Sequence, residues 1–332
     1  MKSALFLVAL ITLLGFIKPK ETTWVAIGDS ITYLNDHPKE TGNRVTKGYM
    51  TLVTEQLPYI RYTNQGHNGW TSGDIAGAID TLGLTKADIY SIFLGTNDWW
   101  QGKPLGTLAD YRNNTGNNTV NGSFRIIIDK LKKLNKDAKI ILITPMQRTD
   151  FVYINNMKNN AYGSYKENNG KSLSHFAEAI KAIGQSEHFT IIDLYNNRKL
   201  TVEKLVKYKR LKDPQSGTYR NYHYPRYVNI PFNPDTDEYP YPPEAMEMTY
   251  DGLHPSDKGN AIIADLLVKV LKELTGQLNN SSMSGYDAPK LDKMLVGFAF
   301  LEMITWNSSV FSQYHGLTIK LVKNYRRSSD RN

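Results

Sequence analysis

Residues 22–33 read TTWVAIGDSITY. The apolar, β-prone run Trp24–Ile27 predicts a strand, and Gly28-Asp29-Ser30 ends it. A strand that turns into a helix through such a tripeptide is the opening unit of an α/β sheet. In an open parallel sheet the carboxyl edge of the strands is where ligands bind. Ser30, leaving that edge, would have an exposed hydroxyl close to a helix N-terminus. Taken alone the tripeptide is as well explained by Asp29 or Ser30 capping the helix, so the rest of the chain has to decide.

Working outward, further β-prone runs occur at Ile60–Thr63, Ile89–Leu94, Lys139–Thr144 and Thr190–Leu194. Between them Tyr49–Leu57, Ile75–Leu82, Phe124–Leu134 and Leu173–Ile183 carry apolar residues at helical spacing. Lys258–Leu274 closes the series as an amphipathic helix with Ile262, Ile263, Leu266, Leu267, Val270 and Leu271 on one face. Strands alternating with helices predict a parallel sheet covered on both faces. No repeat with a period of 20–50 residues is visible, which excludes solenoids and propellers.

Three more loops join Ser30 at the same sheet edge. Gly95-Thr96-Asn97-Asp98 follows the third strand, and an asparagine amide can donate to a developing oxyanion. Asp251-Gly252-Leu253-His254-Pro255 precedes the last helix. A serine nucleophile needs an imidazole to take its proton and a carboxylate to fix the imidazole tautomer. Asp251 can supply that carboxylate if the loop folds back, and Pro255 keeps His254 out of helical geometry. Asn64-Gln65-Gly66-His67-Asn68-Gly69 follows the second strand, where a glycine lets the backbone N–H approach a ligand. Each block alone could be a turn or a cap. Together they put serine, asparagine, glycine and histidine in separate loops at one edge.

In that order the blocks resemble those of the SGNH hydrolase superfamily, the GDSL esterases, over about residues 23–275. The resemblance implies a three-layer α/β/α sandwich with a central five-stranded parallel sheet, flavodoxin-like in topology. It implies Ser30 as nucleophile, His254 as general base and Asp251 as its orienting acid. The oxyanion hole would be the Ser30 and Gly69 backbone N–H groups and the Asn97 side chain. Gly69 is preferred to Gly66 because Asn64-x4-Gly69-x-Thr71 fits the family spacing. No cofactor is required.

Composition removes competing classes. There is no cysteine among the 332 residues, which excludes disulfide scaffolds, thiol nucleophiles and thiolate metal sites. No G-x-S-x-G elbow, H-E-x-x-H pair, P-loop or dinucleotide fingerprint occurs. The net charge of +8 sits mostly at the ends: residues 1–20 carry +3 and residues 281–332 another +3, leaving +2 for the body. A nucleic-acid footprint would lie on the folded domain, so no nucleic-acid partner is expected. Lys2 followed by the apolar run Ala4–Ile17, too short to span a bilayer, predicts an export signal over residues 1–20, or, with no obvious small-x-small cleavage site, an uncleaved N-terminal hydrophobic segment, and a periplasmic or extracellular protein. The hydrolase domain is expected over 22–278, with a C-terminal tail of unassigned role over 279–332 that includes an apolar run, Met294–Trp306.

Residues 200–250 hold eight of the 21 tyrosines and seven of the 14 prolines, with no helical or strand period beyond Thr201–Leu211. A long irregular segment leading into the catalytic loop is expected to bind substrate. Flat amphipathic rings suit sugar faces, so Tyr222, Tyr224, Tyr227 and Trp99 are candidate substrate contacts and an O-acetylated carbohydrate the expected substrate. The alternatives are a lysophospholipase- or thioesterase-type acyl hydrolase, an acyltransferase, and a catalytically silent carbohydrate-binding protein.

Overall fold

The computed structural model describes residues 21–283. The expected export segment and the tail from residue 284 onward, with its Met294–Trp306 run, lie outside the described residues.

The strands are β1 (Thr22–Gly28), β2 (Ile60–Gly66), β3 (Ile89–Phe93), β4 (Lys139–Ile143), β5 (Phe151–Val152), β6 (Asn160–Ala161), β7 (Thr190–Ile192), β8 (Lys209–Lys212) and β9 (Tyr219–Tyr222). Five of them form one parallel sheet in the order β2-β1-β3-β4-β7. This is the expected sheet, and all five central strands fall on the runs that predicted them. Successive residues of β1 face opposite layers, and both are buried. Trp24 and Ala26 join one core, while Val25 and Ile27 join the other.

The helices that cover the sheet are α1 (Ser30–Tyr33), α2 (Tyr49–Gln56), α3 (Ser72–Gly77), α4 (Thr96–Trp100), α5 (Val120–Leu134), α6 (Leu173–Ser186) and α7 (Asp257–Met283). On one face α2 and α7 bury Tyr49, Met50, Val53, Ile263, Leu267 and Leu271. On the other α5 and α6 bury Phe124, Ile127, Ile128, Leu131, Phe176 and Ile180. Each such side chain contributes roughly 2 kcal/mol of apolar burial, which is why these amphipathic segments lie where they do. The compact unit holding the sheet ends at Thr275, and the helix itself runs on to Met283. The helix expected over Ile75–Leu82 is instead Ser72–Gly77 followed by turns. Thr71 and Asp74 close a capping box at its start, and Gly77, a poor helix former, comes at its end.

The tyrosine- and proline-rich segment is more ordered than its sequence suggests. β8 and β9 form an antiparallel hairpin, and a short helix, Val202–Leu205, precedes it. The hairpin strands read KRLK and YRNY, and of these only Lys209 and Leu211 are buried, so no alternation marked them. Tyr227, Tyr241 and Tyr250 are core residues.

The order β2-β1-β3 creates a reversal of winding at β1, and the crevice at such a point is where α/β sheets bind ligands. Gly28 pairs in register with Gly66 on one side and Phe93 on the other. Ser30, Gly69 and Asn97 therefore emerge within a few residues of the same sheet edge.

Candidate active site

Ser30 is the first residue of α1. Asp29 caps the helix by accepting from the Ile31 N–H at 3.0 Å, which leaves the Ser30 hydroxyl outside the cap. Asp29 is 2% exposed, and burial pushes its carboxyl up to about 6, opposed by the Ile31 bond.

His254 reaches Ser30 from the far end of the chain. Its Nε2 lies 2.8 Å from Ser30 Oγ and its Nδ1 lies 2.7 Å from Asp251 Oδ2. A carboxylate only accepts, so the network assigns the proton to Nδ1 and leaves Nε2 to accept from the Ser30 hydroxyl. Asp251, with no exposed surface, also accepts at Oδ1 from the backbone N–H groups of Leu253 (3.1 Å) and His254 (2.8 Å). The loop thus closes on its own carboxylate. Phe151 meets the imidazole edge-on at 5.3 Å between ring centres, and Tyr250 lies nearly parallel to it at 5.8 Å.

Residues 149–152 hold this loop from outside. Thr149 N–H donates to Gly252 O and Val152 N–H to Asp251 O. Gly252 has φ +92°, and a Cβ there would meet Asp150 O at 2.1 Å. No side chain fits that approach.

The donor side is built from the second and third blocks. Gly69 has φ +74°, the left-handed conformation glycine adopts at no steric cost. Asn97 Nδ2 donates to Trp70 O at 3.0 Å, leaving the second amide hydrogen uncommitted. Gln101 Nε2 donates to Gly69 O at 2.9 Å. Buried Asp98 accepts from the Ser72 N–H (3.0 Å) and hydroxyl (2.6 Å). Desolvation pushes the Asp98 carboxyl up to about 6 against those bonds. Three residues of the α4 segment therefore fix the Gly69 loop against Asn97.

Ser30, Gly69, Asn97 and His254 line one cavity of about 360 Å³. Trp100, Phe151 and Tyr153 supply its aromatic wall. The four expected substrate contacts are not in that wall. Trp99 is fully buried, and its indole N–H donates to Lys171 O. Tyr222 belongs to the hairpin, its hydroxyl donating to Asp213. Tyr227 is core, its oxygen accepting from the Thr149 hydroxyl. Tyr224 packs edge-on against Tyr227 and tilted to Tyr165. These rings pack within the fold, and the indole that does line the cavity is that of Trp100, the neighbour of Trp99. Sequence reading also passed over Arg148 and Phe151. The signal was available, since both lie just beyond β4 at the same sheet edge. Among the described residues no cluster of three or more His, Asp or Glu side chains is arranged to hold a metal, and no helix is long and apolar enough to cross a membrane.

A hydrogen-bonded carboxylate–imidazole–hydroxyl chain in a cavity also lined by Gly69 and Asn97 is competent for nucleophilic acyl transfer. Comparison with known proteins agrees. The model of the GDSL-like lipase/acylhydrolase family matches residues 26–262. A solved structure described as a possible lipase from Chitinophaga pinensis DSM 2588 is 64% identical, with a TM-score of 0.76, and the match covers 76% of this chain and 99% of that one. A protein from Lactobacillus plantarum shares the fold at 18% identity, with a TM-score of 0.50, over 76% of this chain and 98% of its own. No curated protein matches the chain.

Proposed function

The chain belongs to the GDSL-like lipase/acylhydrolase family and is a serine ester hydrolase; from that premise we propose that Ser30, His254 and Asp251 carry the reaction and that the ester is an O-acetyl group on carbohydrate. The observation that carries the first part is the continuous chain Asp251 Oδ2–His254 Nδ1 and His254 Nε2–Ser30 Oγ at 2.7 and 2.8 Å. Ser30 Oγ attacks the ester carbonyl while its proton passes to His254 Nε2. The carbonyl oxygen, now an anion, is held by the Ser30 and Gly69 N–H groups and the free hydrogen of Asn97. Collapse expels the alcohol, which takes the proton from His254, and a water repeats the sequence on the acyl-enzyme.

The acetyl-carbohydrate part rests on the cavity wall. A long acyl chain needs a continuous apolar channel, whereas this wall sets Leu34, Leu253 and the aromatic rings, Trp100 and Tyr153 among them, beside the amides of Asn68, Gln101 and Asn159. Rings beside amides suit a sugar. The cavity also shares Trp100, Phe151 and Ala161 with a neighbouring pocket of about 490 Å³, room for a second residue of an oligosaccharide. Action outside the cytoplasm belongs to the same reading and is supported by Lys2 and the apolar run that follows it.

The test is a series of nitrophenyl esters from acetyl to palmitoyl, then a panel of acetylated glycans, with Ser30→Ala as control. Acetyl esters and at least one acetylated glycan should be turned over, and Ser30→Ala should be inactive yet folded. A palmitoyl ester that outperforms every acetylated glycan would refute the carbohydrate assignment, and an active Ser30→Ala would refute the nucleophile.

A further inference from the structure

Arg148 is 1% exposed and lies in the cavity wall with Ser30 and His254. Its backbone is pinned to Ser164, whose hydroxyl accepts from Arg148 N–H at 3.1 Å and whose N–H donates to Arg148 O at 2.9 Å. The guanidinium carbon stands 5.4 Å from the Trp99 ring centre and 5.3 Å from that of Trp100. The two indoles hold the cation's position and contribute attraction. Its Nε and Nη2, both buried, have no hydrogen-bond partner among the described residues.

A buried guanidinium without a carboxylate is rare, because burial without a partner costs far more than burial with one. Burial pushes Arg148 down to about 10, still cationic at neutral pH. Asp150 and Asp251, the first charges opposing that shift, are committed elsewhere: Asp150 pairs with Lys209, and Asp251 with His254. Glu40, the carboxylate in the cavity wall, accepts from the Tyr33 hydroxyl at 2.9 Å and makes no ion pair with Arg148. The adjoining pocket adds a second free cation. Lys166 is exposed, lies 5.7 Å from the Tyr162 ring centre and has no acidic partner among the described residues.

We propose that Arg148 is a subsite for a carboxylate borne by the substrate, so that the ester cleaved sits on an acidic sugar. The inference rests on the carbohydrate-ester reading above and narrows it to uronate-type residues. A guanidinium donates charge-assisted hydrogen bonds to a carboxylate. The indoles hold the guanidinium in place, so little ordering remains for the substrate to impose. Lys166, further along the groove, would meet the next acidic residue of an oligomer.

The experiment compares the same acetyl ester on methyl galactosiduronic acid and on methyl galactoside, which differ only in a carboxylate for a hydroxymethyl group. In the wild-type protein kcat/KM should favour the acid by about 10- to 100-fold, the range expected for charge-assisted hydrogen bonds in a buried site. Arg148→Gln should bring the ratio close to one, and Arg148→Lys should restore part of it. Because the readout is a ratio, it does not depend on how far either variant slows the enzyme. Should Arg148→Gln fail to fold, inhibition of the wild-type protein by free galacturonate but not galactose carries the same information. A wild-type ratio near one, an unchanged ratio in Arg148→Gln, or equal inhibition by both sugars would overturn the inference. Turnover of nitrophenyl acetate with neither sugar ester hydrolysed would instead overturn the carbohydrate reading on which it rests.

Discussion

Asp251→Asn separates orientation from folding in the catalytic loop. The carboxylate accepts three hydrogen bonds, two at Oδ1 from the Leu253 and His254 backbone N–H groups and one at Oδ2 from His254 Nδ1. Asparagine keeps the shape and can keep its oxygen on the two backbone donors. Its NH₂ then faces His254 Nδ1, which must give up its hydrogen, and the proton moves to Nε2. In that tautomer His254 cannot accept from Ser30 Oγ. The expected loss is about 10⁴-fold in kcat, or about 5 kcal/mol of transition-state stabilisation. The melting temperature should hardly move, because the backbone N–H groups stay satisfied. Asp251→Ala supplies the contrast. It removes the acceptor from two buried N–H groups at about 1–3 kcal/mol each, so it should lower stability as well as activity. The assay is kcat on nitrophenyl acetate beside a thermal melt. A kcat loss below tenfold in Asp251→Asn would refute the tautomer argument. A large fall in melting temperature for that variant would show that Asp251 is chiefly structural.

Asn97→Ala should lower kcat by about 100- to 1000-fold with little change in KM, as for loss of one oxyanion donor; a change confined to KM would make Asn97 a ground-state contact. Gly252→Ala should yield poorly folded or inactive protein, since its φ of +92° and the 2.1 Å approach to Asp150 O leave no place for a methyl group; a normal melt would refute the packing argument. Burial holds the Asp98 carboxyl up at about 6, so at a pH above its ordinary value the folded state still binds a proton that the unfolded state releases. Its contribution is therefore present below pH 4 and lost as pH rises through about 6. Relative to Asp98→Asn, the wild-type protein should lose up to about 3 kcal/mol over that interval. Chemical denaturation of both proteins at pH 4, 5, 6 and 7 checks this, and a constant difference between them would refute it.

The centre of the sheet was legible because β1, β3 and β4 are short, mostly apolar runs that are largely buried, while the part-buried outer strands β2 and β7 showed as β-prone runs between helical segments. Ser30, Asn97, Asp251 and His254 stood out because acyl-transfer chemistry needs those residue types in strand-end loops, and the structure places His254 within hydrogen-bond distance of both Ser30 and Asp251. The hairpin of β8 and β9 was not, because its strands carry too few apolar residues to show a period. The tyrosines misled for a physical reason. An amphipathic ring suits a sugar face, but it suits equally a core position where the hydroxyl finds a backbone partner, as Tyr241 does at Asp150 O. Composition cannot distinguish the two. Arg148 was passed over because a single arginine after a strand resembles a surface charge until its burial and missing partner are seen.

The tyrosines nevertheless bear on the candidate site, through Asp150. Its carboxylate accepts from Lys209, from the Tyr165 hydroxyl and from the Gly163 N–H, and its backbone oxygen accepts from the Tyr241 hydroxyl. The neighbouring Thr149 and Val152 N–H groups hold the backbone of Gly252 and Asp251. One short segment is thus bonded on one side to the tyrosine-rich insert and on the other to the loop that aims His254 at Ser30. Prolines at 225, 231, 234, 240, 242 and 243 limit the freedom of the insert before it folds, which lowers the entropy cost of fixing it. The insert therefore braces the 149–152 segment, and through it the loop that carries His254. Arg148 stands at the head of that same segment, so the group proposed to read the substrate's charge and the loop that delivers the base are set by a single stretch of backbone.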